Sequence, residues 1–172
     1  MKKVFLCVLV SASLIACTSS EKKTAETTEQ ASAKVEHIYK PTYTDNFKIG
    51  GESNVLLAEQ FHKAIFANDL KTAAEMISDT ARFDNEDGTS MKGKEAIVAY
   101  MEKAFAGLTF KNYNIAAILP VVGENGHQWV DIWDEAELVT PDGKSMKMRW
   151  SDAFQFENGK IVHFVGFGKE VK

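Results

Sequence analysis

Apolar positions recur with two different periods along this chain, and the period changes near Gly107. Before that point, spacings of three and four residues predict helices. Leu57, Phe61 and Ile65 form one stripe with Val55, Ala58 and His62 beside it, and Ser53 stands where a helix cap belongs. Asn68-Asp69 breaks this helix, and Asp69 opens a second one through Ala73, Ala74, Met76 and Ile77. A short extended piece, Ala81 to Asp84, leads into the polar run Asn85-Glu86-Asp87-Gly88. After Gly93 a third helix directs Ile97, Tyr100, Met101, Ala104 and Phe105 inward. Beyond Gly107 four strands are predicted, at roughly 110–120, 128–139, 145–157 and 161–168. Their connectors, Gly123-Glu124-Asn125-Gly126, Pro141-Asp142-Gly143-Lys144 and Glu157-Asn158-Gly159-Lys160, are rich in residues that accept positive φ. Consecutive strands joined by such turns make an antiparallel meander. Helices first and an antiparallel sheet afterwards give an α+β fold.

The amino terminus follows a different rule. Lys2 and Lys3 precede an apolar run from Val4 to Ile15, and Leu14-Ile15-Ala16-Cys17 has the form of a bacterial lipoprotein cleavage site. The run is short for a membrane-spanning helix. We therefore expect residues 1–16 to be a signal peptide and Cys17 to become the lipidated first residue. Residues 17–46 would be a flexible tether, because Thr, Ser, Glu, Lys and Ala dominate it and large apolar groups are nearly absent before Ile38. The folded domain would occupy residues 47–172. These features place the protein in a bacterial cell envelope, held to the membrane through Cys17. Thr18 occupies the position where an Asp would signal inner-membrane retention, which favours the outer membrane in a host that has one.

Composition then excludes several kinds of chemistry. Loss of the signal removes two lysines and no acid, moving the net charge from −4 to −6. An acidic chain without a basic cluster has no electrostatic footprint for nucleic acid. Both cysteines, Cys7 and Cys17, lie in the export signal, so the domain has no disulfide, thiolate nucleophile or cysteine ligand. No histidine pair has helical or strand ligand spacing, and no His-Glu-x-x-His occurs, so no metal is expected. A glycine-rich phosphate loop and a nucleophile elbow are also missing, and no cofactor is predicted.

One strand carries the most pointed signal. In Met148 to Phe156, alternation places Met148, Trp150, Asp152, Phe154 and Phe156 on one face. A carboxyl among those groups is desolvated, which raises its pKa and favours the neutral acid. Alternatively that face looks outward or into a dimer contact. Trp129, Asp131 and Trp133 share one face of the preceding strand, while Val130 and Ile132 share the other. Apolar groups on both faces suggest that one side meets the core and pocket and the other a partner subunit. Trp129 and Trp133 fit either side. His163 alternates with Ile161, Val165 and Phe167 near the end of the last strand.

Ala67-Asn68-Asp69-Leu70, Arg82-Phe83-Asp84 followed by Gly93-Lys94-Glu95-Ala96-Ile97, Asp152-Ala153-Phe154-Gln155-Phe156 and Asn158-Gly159-Lys160-Ile161 occur in an order that resembles the nuclear transport factor 2-like superfamily. That superfamily includes SnoaL-like polyketide cyclases and ketosteroid isomerases, and the likeness covers about residues 54–170. It implies a cone-shaped roll: N-terminal helices packed on a curved, mainly antiparallel sheet, with a pocket at the wide end and homodimers through the sheet. By this resemblance Asp152 corresponds to the oxyanion-hole acid, which in ketosteroid isomerases is kept neutral by its apolar site. Asp84, nine residues before Gly93, corresponds to the proton-shuttling aspartate. The family's tyrosine donor on the first helix is replaced by Phe61, and His62 is rotated by about 100° from that position. The candidate acids and bases are thus Asp152, Asp84 and His163, and the expected pocket walls are Phe61, Tyr100, Trp129, Trp133, Trp150, Phe154 and Phe167. Losing the hydroxyl donor favours a non-catalytic pocket for a small hydrophobic ligand or partner segment. The alternative is an isomerase- or cyclase-type enzyme with Asp152 as acid and Asp84 or His163 as base.

Overall fold

A computed structural model describes residues 36–172, so Cys17, the signal and most of the tether lie outside the described residues. The compact unit runs from Tyr39 to Lys172. Its elements are β1 (Phe47–Ile49), α1 (Glu52–Phe66), α2 (Leu70–Met76), β2 (Ile77–Asp84), β3 (Ser90–Lys92), α3 (Lys94–Ala104), β4 (Thr109–Gly123), β5 (Gln128–Val139), β6 (Ser145–Glu157) and β7 (Lys160–Glu170). Among the described residues no helix is long and apolar enough to cross a membrane.

The strands form one open sheet in the order β1-β4-β5-β6-β7-β2-β3. Every pairing is antiparallel except β2 with β7. The four predicted strands form the meander β4 to β7, and the fold is α+β. Two details differ from the sequence expectation. Gly51, not Ser53, occupies the cap of α1, and Ser53 lies within the first turn. Glu52 in that turn and Lys63 in the last one complement the helix dipole. Ile77 leaves the second helix and begins β2, where it pairs with Ile161 and is fully buried. An isoleucine suits a strand buried on the core side better than a helix end. Asp69 does cap α2, its carboxylate accepting from the Thr72 amide at 3.1 Å.

The core lies between the helices and one face of the sheet. Val130, Ile132, Phe154 and Ile161 from the sheet meet Ala58, Phe61 and Ile65 of α1, Ala73 of α2 and Ile97 of α3. The buried stripe of α1 is Ala58, Phe61, His62, Ala64 and Ile65, wider than a single row of contacts. Such a stripe spans 100° or more on a helix, so Phe61 and His62 both face inward.

Candidate functional site

Alternation along the sheet decides which carboxylates meet. On β5 the inner face carries Val130, Ile132, Asp134 and Ala136, all buried. On β6 it carries Trp150, Asp152, Phe154 and Phe156. Ile132 pairs with Asp152 and Asp134 with Trp150, so the two aspartates are diagonal neighbours on the core side. His62 comes down on them from α1. Its Nε2 lies 3.2 Å from Asp152 Oδ2, and its Nδ1 lies 3.3 Å from Asp134 Oδ2. All three residues are at least nine-tenths buried.

Tyr113 completes the arrangement through an irregularity in β4. Between Lys111 and Asn114 the strand has two residues opposite one on β5, and Asn112 adopts φ 53°. This bulge resets the alternation and turns Tyr113 inward. Its hydroxyl donates to Asp134 Oδ2 at 2.8 Å and stands 2.9 Å from His62 Nδ1. The hydroxyl oxygen can therefore accept the Nδ1 proton while its own proton is committed to Asp134. Burial pushes the Asp134 carboxyl up to about 6, with the Asp152 charge adding to the rise and His62 and Tyr113 opposing it. Burial and the Asp134 carboxylate together push the Tyr113 hydroxyl far up, so it remains a donor.

With Nδ1 carrying a proton, the remaining chemistry concerns Nε2 and Asp152. Either Nε2 is protonated and donates to a carboxylate, or it accepts from a neutral carboxylic acid. The pair holds one shared proton in both forms. Ligand atoms of His62, Asp134 and Asp152 lie within 4.8 Å of one another, the one such cluster among the described residues that could hold a metal ion. Residue spacing did not reveal this grouping, because the three come from three different elements. Each carboxylate takes a separate ring nitrogen, so the three side chains are joined in one line along which a proton can pass.

His62 and Asp152 close one end of a cavity of about 210 Å³. Its walls are Phe61, Phe66, Phe83, Phe105, Phe110, Trp150 and Phe164, and its exposed end carries Asn85, Glu86 and Tyr100. Two glycines of β7 make room for it. Gly166 pairs with Asp152, and a Cβ there would stand 2.9 Å from Asp152 Oδ1 and 2.5 Å from the Phe164 ring. Oδ2 faces His62, so Oδ1 lies over bare backbone beside the cavity. Gly166→Ala is expected to displace that carboxylate or the Phe164 ring and to cost about 1–3 kcal/mol. Urea unfolding would measure the loss, and an unchanged His62 ring NMR signal would contradict the displacement.

The sequence-predicted residues divide by face. Phe61, Tyr100, Trp150 and Asp152 line the cavity. Phe154 does not line it: this ring is fully buried beneath Phe61 and His62, at centroid distances of 5.7 and 5.2 Å. Trp129, Trp133 and Phe167 point from the opposite side of the sheet. Trp129 packs on Tyr43 and His163, while Trp133 and Phe167 are 42% and 58% exposed. Asp84 and His163 also belong to that side. His163 Nε2 lies 2.8 Å from Asp84 Oδ2, and Arg82 donates to Oδ1 at 2.8 Å. Burial raises the Asp84 carboxyl, but bonds from Arg82, Ser90 and His163 outweigh it and hold the group well below the usual range. Neither residue reaches Asp152, so neither can be its partner base. The strand period accounts for this: Asp84 pairs with Val165, one residue from the Gly166 that pairs with Asp152.

Comparison with known proteins agrees with the architecture. Residues 58–164 match the family described as SnoaL-like domain. An LEH-like epoxide hydrolase from M. tuberculosis superposes with a TM-score of 0.56 at 15% identity, covering 68% of this chain and 83% of that one. An NTF-2 like protein of unknown function from Burkholderia xenovorans gives 0.53 at 16% identity, covering 70% and 86%. A protein assigned as a SnoaL-like polyketide cyclase, from Shewanella denitrificans, gives 0.53 at 14% identity, covering 67% and 89%. At these identities the likeness is one of fold. No curated protein matches the sequence.

Proposed function

Since the chain belongs to the SnoaL-like domain family, whose fold carries many activities, we propose from its own buried residues that it is an acid–base enzyme acting on a small, ring-bearing compound. One observation carries this reading: His62 bridges Asp134 and Asp152 at the closed end of an aromatic cavity. Burying three titratable groups in one place costs stability, and such groupings concentrate at functional sites. A pocket that only held an apolar ligand would be better lined by leucines.

Proton transfer beside a carbonyl suits the arrangement. Asp152 Oδ1 takes a proton from the carbon next to the carbonyl, and the C–H electron pair moves into the enolate. Asp152 starts as a carboxylate paired with protonated His62, so the proton leaves a neutral acid and an imidazolium, whose charge offsets that of the enolate. Return of the proton to another carbon completes an isomerisation, while attack of the enolate carbon on a second carbonyl of the same molecule, whose alkoxide then takes the proton back from Asp152, would make a ring. Asp134 and Tyr113 act as positioning residues that fix the Nδ1 proton. The test is deuterium exchange at the α-carbons of cyclic ketones, led by 2-tetralone, followed by NMR. Exchange faster than in buffer is expected. Tight binding without exchange would favour the non-catalytic pocket and overturn the enzyme reading.

The cellular setting we propose rests on the sequence. Lipidation at Cys17 would hold this domain in the envelope, on the outer membrane of a host that has one. Mass spectrometry of the amino-terminal peptide from membranes is expected to return an acylated cysteine; an unmodified Cys17 would overturn the anchor.

A further inference from the structure

The exposed end of the cavity differs in chemistry from its closed end. Glu86, on the loop between β2 and β3, crosses to β7, where its Oε2 accepts from the Gly168 amide at 2.5 Å. Gly168 pairs with Trp150, and a Cβ at Gly168 would stand 2.7 Å from the Trp150 indole nitrogen and 3.5 Å from Glu86 Oε2. The carboxylate and the indole therefore both lie beside the same bare stretch of strand. Tyr100 lines the same end, and its hydroxyl is pushed up by burial and by the charges of Asp87 and Glu86. None of the residues lining the cavity is Lys or Arg. At the other end stands Asp152, 8% exposed, with its Oδ2 3.2 Å from His62 Nε2.

We infer that the cavity selects a ring-bearing ligand with a protonated amine, the ammonium held by Glu86 against the Trp150 and Tyr100 rings. A carboxylate next to an indole and a phenol attracts an ammonium by charge and through the ring faces together. The bond to Gly168 uses only Oε2, leaving Oε1 for the ligand. An anionic ligand would meet Glu86 at the entrance and Asp152 inside, with His62 as the sole offsetting group. The inference rests on the cavity being the substrate site, as proposed above, and adds which compounds it admits.

Three matched probes test it by calorimetry on the full chain: 2-naphthylmethylamine, 2-naphthylmethanol and 2-naphthoate. The ammonium should bind about tenfold more tightly than the alcohol, the size of a partly exposed charge pair reinforced by ring contacts. The carboxylate should bind most weakly of the three. Glu86→Gln should bring the ammonium-to-alcohol ratio close to one, with an unchanged near-ultraviolet circular dichroism spectrum showing that the fold is intact. Equal affinity for ammonium and alcohol in the native protein would overturn the inference. So would an ammonium preference that survives Glu86→Gln, or no binding of any probe. Ketone exchange, lost or kept, is read separately, so the amine site and the acid–base reading can fail independently.

Discussion

Asp152→Asn is expected to slow α-proton exchange in a cyclic ketone by about 10³-fold, within the range that a positioned general base contributes. The amide keeps the size of the carboxylate and can still hydrogen-bond His62 Nε2, so the variant should fold. It cannot take up a proton at neutral pH. The loss should appear in the rate and hardly in ketone affinity, because the apolar walls are untouched. His62→Asn should also reduce the rate, since Asp152 then loses the group that shares its proton. The double variant should be scarcely slower than Asp152→Asn alone, as expected for residues that act as a unit. Independent, multiplying losses would show that His62 and Asp152 do not work together. Exchange left within threefold of native by Asp152→Asn would remove this carboxylate from the chemistry.

Much of the fold was legible because it is written in local patterns. The turn sequences around Gly126, Gly143 and Gly159, each at positive φ, separate strands whose alternation is plain. The short strands β1 and β3, three residues each, carry too little periodicity to be seen. Asp152 could be found because one strand lists its neighbours in order. Asp134 carries the same signal two positions after Ile132, on the face opposite Trp129 and Trp133. His62 is legible as a stripe neighbour about 100° from Phe61, and a stripe wide enough to admit both brings it inward. Tyr113 could not be placed from alternation, because the bulge at Asn112 reverses the phase before it. Asp84 is a candidate by family spacing alone. His163 shares the face of Ile161 only if alternation is unbroken, and the register shift between Gln155 and Phe156 puts His163 on the other side. Family spacing brings residues near in sequence register, whereas a single strand position decides the side of the sheet.

The largest stability effect is expected at Asp134. This carboxylate receives the Tyr113 hydroxyl and faces His62 Nδ1, and its Oδ1 is buried without any hydrogen-bond partner. Asp134→Ala strips the acceptor from a buried donor pair and opens space beside Ile132. Breaking a buried charged network in this way costs about 3–5 kcal/mol. Asp134→Asn keeps the volume and an acceptor oxygen, so it should cost less, and the difference should depend on pH. The folded pKa, about 6, lies above the ordinary 3.8. A raised carboxyl stabilises the fold fully below the unfolded value and loses that contribution as pH rises through the folded one. From Asp134 alone, native stability should therefore fall between about pH 4 and pH 6 by an amount on the order of 3 kcal/mol. The Asn variant lacks this ionisation and should gain on the native protein across the same window. Urea unfolding of both proteins at pH 4 and pH 7 reads the effect. A gap that stays constant, or that widens toward pH 7, would mean that Asp134 does not carry its charge in the dry interior that the relay requires.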